Sequence, residues 1–213
     1  FPMTNNNDRI SIRPIVSGIE SAFDALNARF FDGLLKAPCV TVNEGTTMRA
    51  YGWYVGTEVW HDGEKHAAEL NVSCDSLNRP TIEVLTTLMH EMVHIECERL
   101  GIKDTARNGI RHNKKFAETA EKHGMIHVKR DDFDKVGFAG VRIPEALHDE
   151  ILSLCDEFVK AHTIYRDAPV KGEKKKVKQG VIKYLCPTCG CSCRATKPIN
   201  IMCLECDETM LQA

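Results

Sequence analysis

Apolar residues at helical spacing run from Gly18 to Leu35, where Ile19, Phe23, Leu26, Phe30 and Phe31 share a face and Asp32-Gly33 supplies a stop. Three short segments follow: Val40 to Val42, Ala50 to Val55 and Ala67 to Val72. They are rich in β-branched or aromatic residues and parted by turns such as Asp62-Gly63, which predicts a small, mostly antiparallel sheet. Pro80 then opens a helix whose apolar stripe is Ile82, Leu85, Leu88, Met89 and Met92, and Gly101 ends it. A further helix is expected from Asn113 to His123, with Phe116 and Ala120 inward and Gly124 as terminator. Another is expected from Pro144 to His162 on the 3–4 spacing of Leu147, Ile151, Leu154, Cys155 and Phe158. After Asp167-Ala168-Pro169 the apolar periodicity is lost and lysines accumulate, as in a linker. No internal repeat is present. The fold class expected is α+β.

At 213 residues, 43% hydrophobic and 27% charged, the chain has room for one substantial core and a small accessory module. The expected division is a main domain over 9–167, a basic linker over 168–183 and a cysteine-rich module over 184–213. No apolar run approaches the ~20 residues that cross a bilayer, and the polar, Asn-rich opening does not read as a secretory leader. Six of the ten cysteines fall between Cys186 and Cys206. Clustered pairs of this kind favour reduced, metal-binding thiols over a disulfide framework, so a cytoplasmic or, in a eukaryote, nuclear setting is expected. Cys39, Cys74, Cys97 and Cys155 stand singly and read as small buried apolar residues.

The helix after Pro80 carries His90-Glu91-Met92-Val93-His94. Residues four apart share a helix face, so both imidazoles can reach one ion at Zn–N distances of about 2.0–2.1 Å. Glu91 points aside and is placed to take a proton from water activated by the metal. A catalytic zinc normally takes a third protein ligand. The compact pattern that would supply it fails, because Cys97 and Leu100 occupy the required positions. Spacing leaves Asp104, Glu118 and Glu121 open, and His112, which enters just before the next helix, is the choice among them.

Several tracts resemble the SprT-like family of zinc metallopeptidases (SprT/Spartan-like). His90-Glu-Met-Val-His94 and His112-Asn-Lys-Lys-Phe116 match its metal-binding segments. Phe23 to Gly33 is similar to its opening helix, Gly52-Trp-Tyr54 to its Gly-aromatic strand, and Ala68 to Val72 to the strand before its catalytic helix. The likeness covers roughly residues 18–158 and extends into the tail. It implies a minimal zincin fold, peptide-bond hydrolysis, His90, His94 and His112 as zinc ligands, and Glu91 as general base. It also implies substrates among proteins held on or crosslinked to DNA. Developing oxyanion charge needs a donor beyond the metal, for which Arg111, Tyr54, His123 and His127 are undistinguished candidates.

Cys186-Pro-Thr-Cys189-Gly190 and Cys203-Leu-Glu-Cys206 are two Cys-x-x-Cys knuckles spaced as in a structural zinc ribbon, with Cys186, Cys189, Cys203 and Cys206 as ligands. Asp207 stands where the first knuckle has Gly190, which leaves its turn geometry open. Cys191 and Cys193 are supernumerary, and either could replace Cys189. Net charge is −2, but Lys171 to Lys183 holds six lysines against one Glu, with Arg194 and Lys197 beyond. Such charge suits sequence-independent DNA binding through phosphates, although Tyr184 is the lone aromatic near the knuckles. The competing reading is a non-catalytic DNA-binding or transcription-associated adaptor using the main domain as a protein-binding scaffold. Zinc hydrolysis of a non-peptide substrate is a third.

Overall fold

The computed structural model describes residues 9–44, 50–107, 109–167 and 181–213. The chain divides into two compact units, Phe1–Ala168 and Pro169–Ala213. Both mix helices and small sheets or carry small sheets alone, and among the described residues there are six α-helices. None of these is long and apolar enough to cross a membrane.

In the larger unit, α1 (Arg13–Phe30) starts five residues before the periodic apolar run, because Pro14 lies in its first turn with φ already suited to a helix. Ile15, Ile19, Ala22, Phe23 and Leu26 form its buried stripe. The helix ends where Asp32 and Gly33 both take positive φ. Buried Asn27 clamps the chain leaving it, donating to the Leu35 carbonyl at 3.0 Å and accepting from the Leu35 amide at 3.1 Å.

Strands β1 (Cys39–Thr41), β2 (Gly52–Asp62) and β3 (Lys65–Val72) form a sheet in the order β1-β3-β2. The β2–β3 hairpin is antiparallel, but β1 joins β3 in parallel, so one of the two pairings departs from the expected antiparallel character. Buried Asn71 of β3 fixes the parallel register: its side-chain oxygen accepts from the Asn43 amide and the Thr41 hydroxyl, both at 2.8 Å. Strand β2 runs past the predicted Val55, and its pairing shifts register between Val55 and Trp60. An edge strand whose residues beyond Val55 face solvent carries no buried alternation for a sequence reading to find.

Helix α2 (Thr81–Arg99) follows Pro80 and packs against α1, the sheet and later helices. Its buried face, from Val84 to Cys97, is apolar apart from Thr87, Glu91 and Glu96, and Gly101 with φ 65° closes it. Two ladders of two strands each come next, β4 (Thr105–Ala106) with β5 (Arg111–His112), then β6 (Ile126–His127) with β7 (Val141–Arg142). Helix α3 (Lys114–Lys122) lies between the two ladders, and the short α4 (Phe133–Val136) lies between β6 and β7. The long helix expected over 144–162 is instead a 3-10 turn, Glu145–Leu147, then α5 (His148–Leu154) and α6 (Asp156–Ala161). The break falls at buried Cys155, whose ψ of 34° is not helical. Ile151, Cys155 and Phe158 still reach one core, so their spacing does not register the interruption.

In the smaller unit, β8 (Ile182–Leu185) pairs with β9 (Ser192–Ala195) and with β12 (Leu211–Gln212), while β10 (Met202–Cys203) pairs with β11 (Glu208–Thr209). Strand β8 begins inside the stretch expected to be linker, and residues 168–180 of that expected linker lie outside the described residues.

Candidate metal centre

His90 and His94 project from α2 one turn apart. His112 reaches them because β4 and β5 fold its segment back, pairing Thr105 with His112. Asn113 fixes that placement: it caps α3 by accepting from the amides of Lys115 (2.9 Å) and Phe116 (3.3 Å). Its amide and side chain also donate to the carbonyls of Asp104 (2.8 Å) and Lys103 (2.6 Å). From the other side the Phe138 amide donates to the His112 carbonyl at 3.0 Å. That approach requires Gly137, which has φ 64° and where a Cβ would lie 2.2 Å from the same oxygen. Fully buried Phe116 underlies all three imidazoles, its ring centre 4.5–4.7 Å from each.

The three Nε2 atoms converge. His112 Nε2 stands 3.1 Å from that of His90 and 3.0 Å from that of His94. Tetrahedral bonds of about 2.0–2.1 Å would set ligand nitrogens about 3.3–3.4 Å apart. Burial pushes the His90 imidazolium well below its usual pKa and that of His112 down to about 4, so both rings are neutral at pH 7. Asp104 Oδ2 lies 2.5 Å from His94 Nδ1. A hydrogen bond from that nitrogen leaves the Nε2 lone pair facing the other two rings. Imidazole nitrogens so placed cannot all satisfy one another by sharing protons, whereas one cation satisfies all three. The group could hold a metal ion, and the donor set fits one.

Of the positions that spacing left open for a third ligand, Asp104 contacts His94 instead of the shared point. Glu118 pairs with Lys114 at 3.4 Å on the surface, and Glu121 is exposed. Asp104 therefore orients a ligand. Burial raises its pKa, but the stronger combined pull of the His94 hydrogen bond and charge holds it below the ordinary value. Asp104→Ala is expected to weaken metal affinity about 10- to 100-fold, read by competition with a chromophoric chelator. Unchanged affinity would remove Asp104 from the centre.

Glu91 is 5% exposed and lines the same cleft, of about 1450 Å³, as the three histidines. Burial, aided by the Asp104 charge and opposed by His94, raises its pKa to about 7. Strand β2 crosses directly above because residue 52 is glycine: a Cβ there would lie 2.8 Å from the Asn71 carbonyl and 3.4 Å from Glu91 Cγ.

Among the candidates for the oxyanion, only Tyr54 borders the cleft. Its hydroxyl donates to Glu98 Oε2 at 2.6 Å. Arg111 is engaged by the Phe133 and Asp134 carbonyls. His123 stacks on Phe31 and contacts the Phe30 carbonyl at 2.7 Å, and His127 packs on Phe138. Arg79 and Arg130, which sequence reasoning did not single out, both line the cleft. Arg79 stacks on Tyr51 at 4.0 Å, and the charge of Arg130 further depresses His90 and His112. No periodicity or motif marks either arginine.

In the smaller unit the sulfurs of Cys186, Cys189, Cys191 and Cys203 lie within 4.8 Å of one another and could hold a second ion. Cys206, expected as a ligand, is not among them and packs on the small core that contains Cys186 and Cys203. Its neighbour Asp207 takes φ 51°, close to the 71° of Gly190, so the two knuckles turn alike. Cys193 lies opposite Tyr184 and packs against the unit's small core, outside the group of four sulfurs. No protein-family model, curated protein or solved structure matches this chain.

Proposed function

We propose that the chain is a zinc-dependent endopeptidase of the SprT-like type, with a minimal zincin fold, a C-terminal zinc ribbon, and substrates among proteins attached to DNA. The observation that carries the reading is the convergence of the His90, His94 and His112 Nε2 atoms beside the buried Glu91 carboxylate, on the floor of an open cleft. Zinc held by these imidazoles would polarise a scissile carbonyl and lower the pKa of a water molecule.

The chain's own residues supply the rest. Glu91, with a pKa near neutrality, accepts a proton from the attacking water at a carboxylate oxygen and passes it to the departing amine. Asp104 keeps His94 in its metal-facing tautomer, and Phe116 keeps the three rings in place. Strand β2 is an edge strand along the cleft, so an extended peptide can add to it through backbone hydrogen bonds. A scaffold without turnover has no need of a buried carboxylate at position 91, which weighs against the adaptor reading.

Support for DNA comes from the smaller unit. Lys183 and Arg194 are exposed and directly opposite each other on β8 and β9, a like-charge pair that is unfavourable unless an anion lies between. Lys197 is exposed nearby in sequence. Lysines 171–178 fall outside the described residues. The test is to incubate the zinc-loaded chain with a DNA-binding protein, with and without single-stranded DNA. Cleavage fragments that increase with DNA are expected. Intact substrate under both conditions rejects the peptidase, and DNA-independent cleavage rejects the substrate class.

A further inference from the structure

We infer that the metal site of the smaller unit is shared by five thiols, with Cys191 and Cys206 exchanging at one vertex while Cys186, Cys189 and Cys203 stay bound. This rests on reading that unit as metal-binding. The two knuckles share two backbone features. In the first, the Cys186 amide donates to the Cys191 carbonyl at 2.9 Å, and in the second Cys203 pairs with Glu208 across β10 and β11. Each pairing spans five residues. Cys189 and Cys206 each precede a residue with positive φ. By this correspondence Cys206 is the counterpart of Cys189, and Cys191 is the counterpart of Glu208, a position that needs no ligand.

The sulfur positions nevertheless bring Cys191 into the cluster. Its sulfur is 3.5 Å from that of Cys203, and the Cys189 sulfur is 3.7 Å from the same atom. Four thiolates around zinc at about 2.3 Å stand about 3.8 Å apart, so both separations suit neighbouring ligands. Cys191 stands with Cys186, Cys189 and Cys203 in one group, and Cys206 packs on the small core that Cys186 and Cys203 help to form. Both therefore approach the same sulfurs, and a tetrahedral ion has room for only one of them. Cys191 follows the tight turn at Gly190 and precedes β9, so no strand pairing of its own fixes its side chain away from the cluster. Cys193, two residues on, is held in the core opposite Tyr184 and takes no part.

Exchange of this kind predicts that the ion survives loss of either thiol. The experiment uses the full chain loaded with cobalt, whose thiolate charge-transfer intensity scales with the number of sulfur ligands. It is paired with N-ethylmaleimide labelling mapped by mass spectrometry. In the unaltered chain, labelling is expected to divide between Cys191 and Cys206 and to spare Cys186, Cys189 and Cys203. Cys206→Ser is expected to keep full charge-transfer intensity with Cys191 now protected, and Cys191→Ser to keep it with Cys206 protected. The double substitution should lose the share of one thiolate in four. Exclusive labelling of Cys191 in the unaltered chain, or reduced intensity in Cys206→Ser with Cys191 still reactive, overturns the exchange. Absence of any thiolate band in the unaltered chain overturns it too, by removing the metal site on which it rests.

Discussion

Glu91→Gln is expected to reduce peptide-bond cleavage by roughly 10²- to 10⁴-fold while leaving metal content unchanged. The amide retains the shape of the carboxyl and cannot accept the proton that the water must lose. Metal affinity is preserved because the convergent nitrogens belong to His90, His94 and His112. Comparable turnover in the variant would eliminate Glu91 as the base. A stability measurement supplies an independent check. In the metal-free chain the carboxyl pKa rises on folding from 4.5 to about 7, chiefly through burial. The folded state thus holds the proton more tightly than the unfolded one. The associated penalty is absent below about pH 4.5, grows as pH rises to 7 and is complete above it. With the ionisation removed, the glutamine variant should be more stable than the unaltered metal-free chain at pH 8, by up to about 3 kcal/mol, and show no such advantage at pH 4. Thermal melts at the two pH values read this directly. An equal difference at both would assign the effect to packing.

Chelating the metal is expected to unfold residues 181–213 while residues 9–167 remain folded. Among the described residues, the smaller unit buries only Tyr184, Cys186, Cys203 and Met210 as its core, and two of these are candidate ligands. Apolar burial on that scale cannot offset chain entropy, whereas a structural zinc contributes roughly 10–16 kcal/mol of apparent binding free energy at pH 7. The larger unit has a continuous core joining α1, the sheet, α2, α3 and α6 through residues such as Phe23, Leu70, Met89, Phe116 and Phe158, none of which requires an ion. Amide hydrogen exchange separates the outcomes. Protection should vanish across β8 to β12 on chelation and persist through α1 and α2. Retained protection in the smaller unit would mean that its fold does not depend on metal.

Much of the centre on α2 was legible because its information is local. His90, Glu91 and His94 lie within one and a half turns of a helix that Pro80 and Gly101 delimit, and helical geometry alone puts the two imidazoles side by side. Cys186, Cys189 and Cys203 were equally readable from spacing, whereas the entry of Cys191 beside them was not. Other features were less visible. Spacing favoured His112 without excluding Asp104, Glu118 or Glu121, and the resemblance pointed to it. That choice depends on a ladder of two residue pairs, too short to leave a periodic signature. Arg130 reaches the cleft from the β6–β7 region, far along the chain from α2, and carries no motif.

What the sequence by itself determined is therefore the set of elements whose side chains repeat with the backbone: the helix bearing the two histidines, the main strands and the paired knuckles. Only the tertiary structure decided the parallel seat of β1, the break at Cys155, the role of Asp104 as an orienting group and the entry of Cys191 into the thiol cluster. Each of these depends on which distant backbone segments meet. Such meetings are set by the packing of a whole core and by single hydrogen bonds like those of Asn71 and Asn113, and a local pattern carries no record of them.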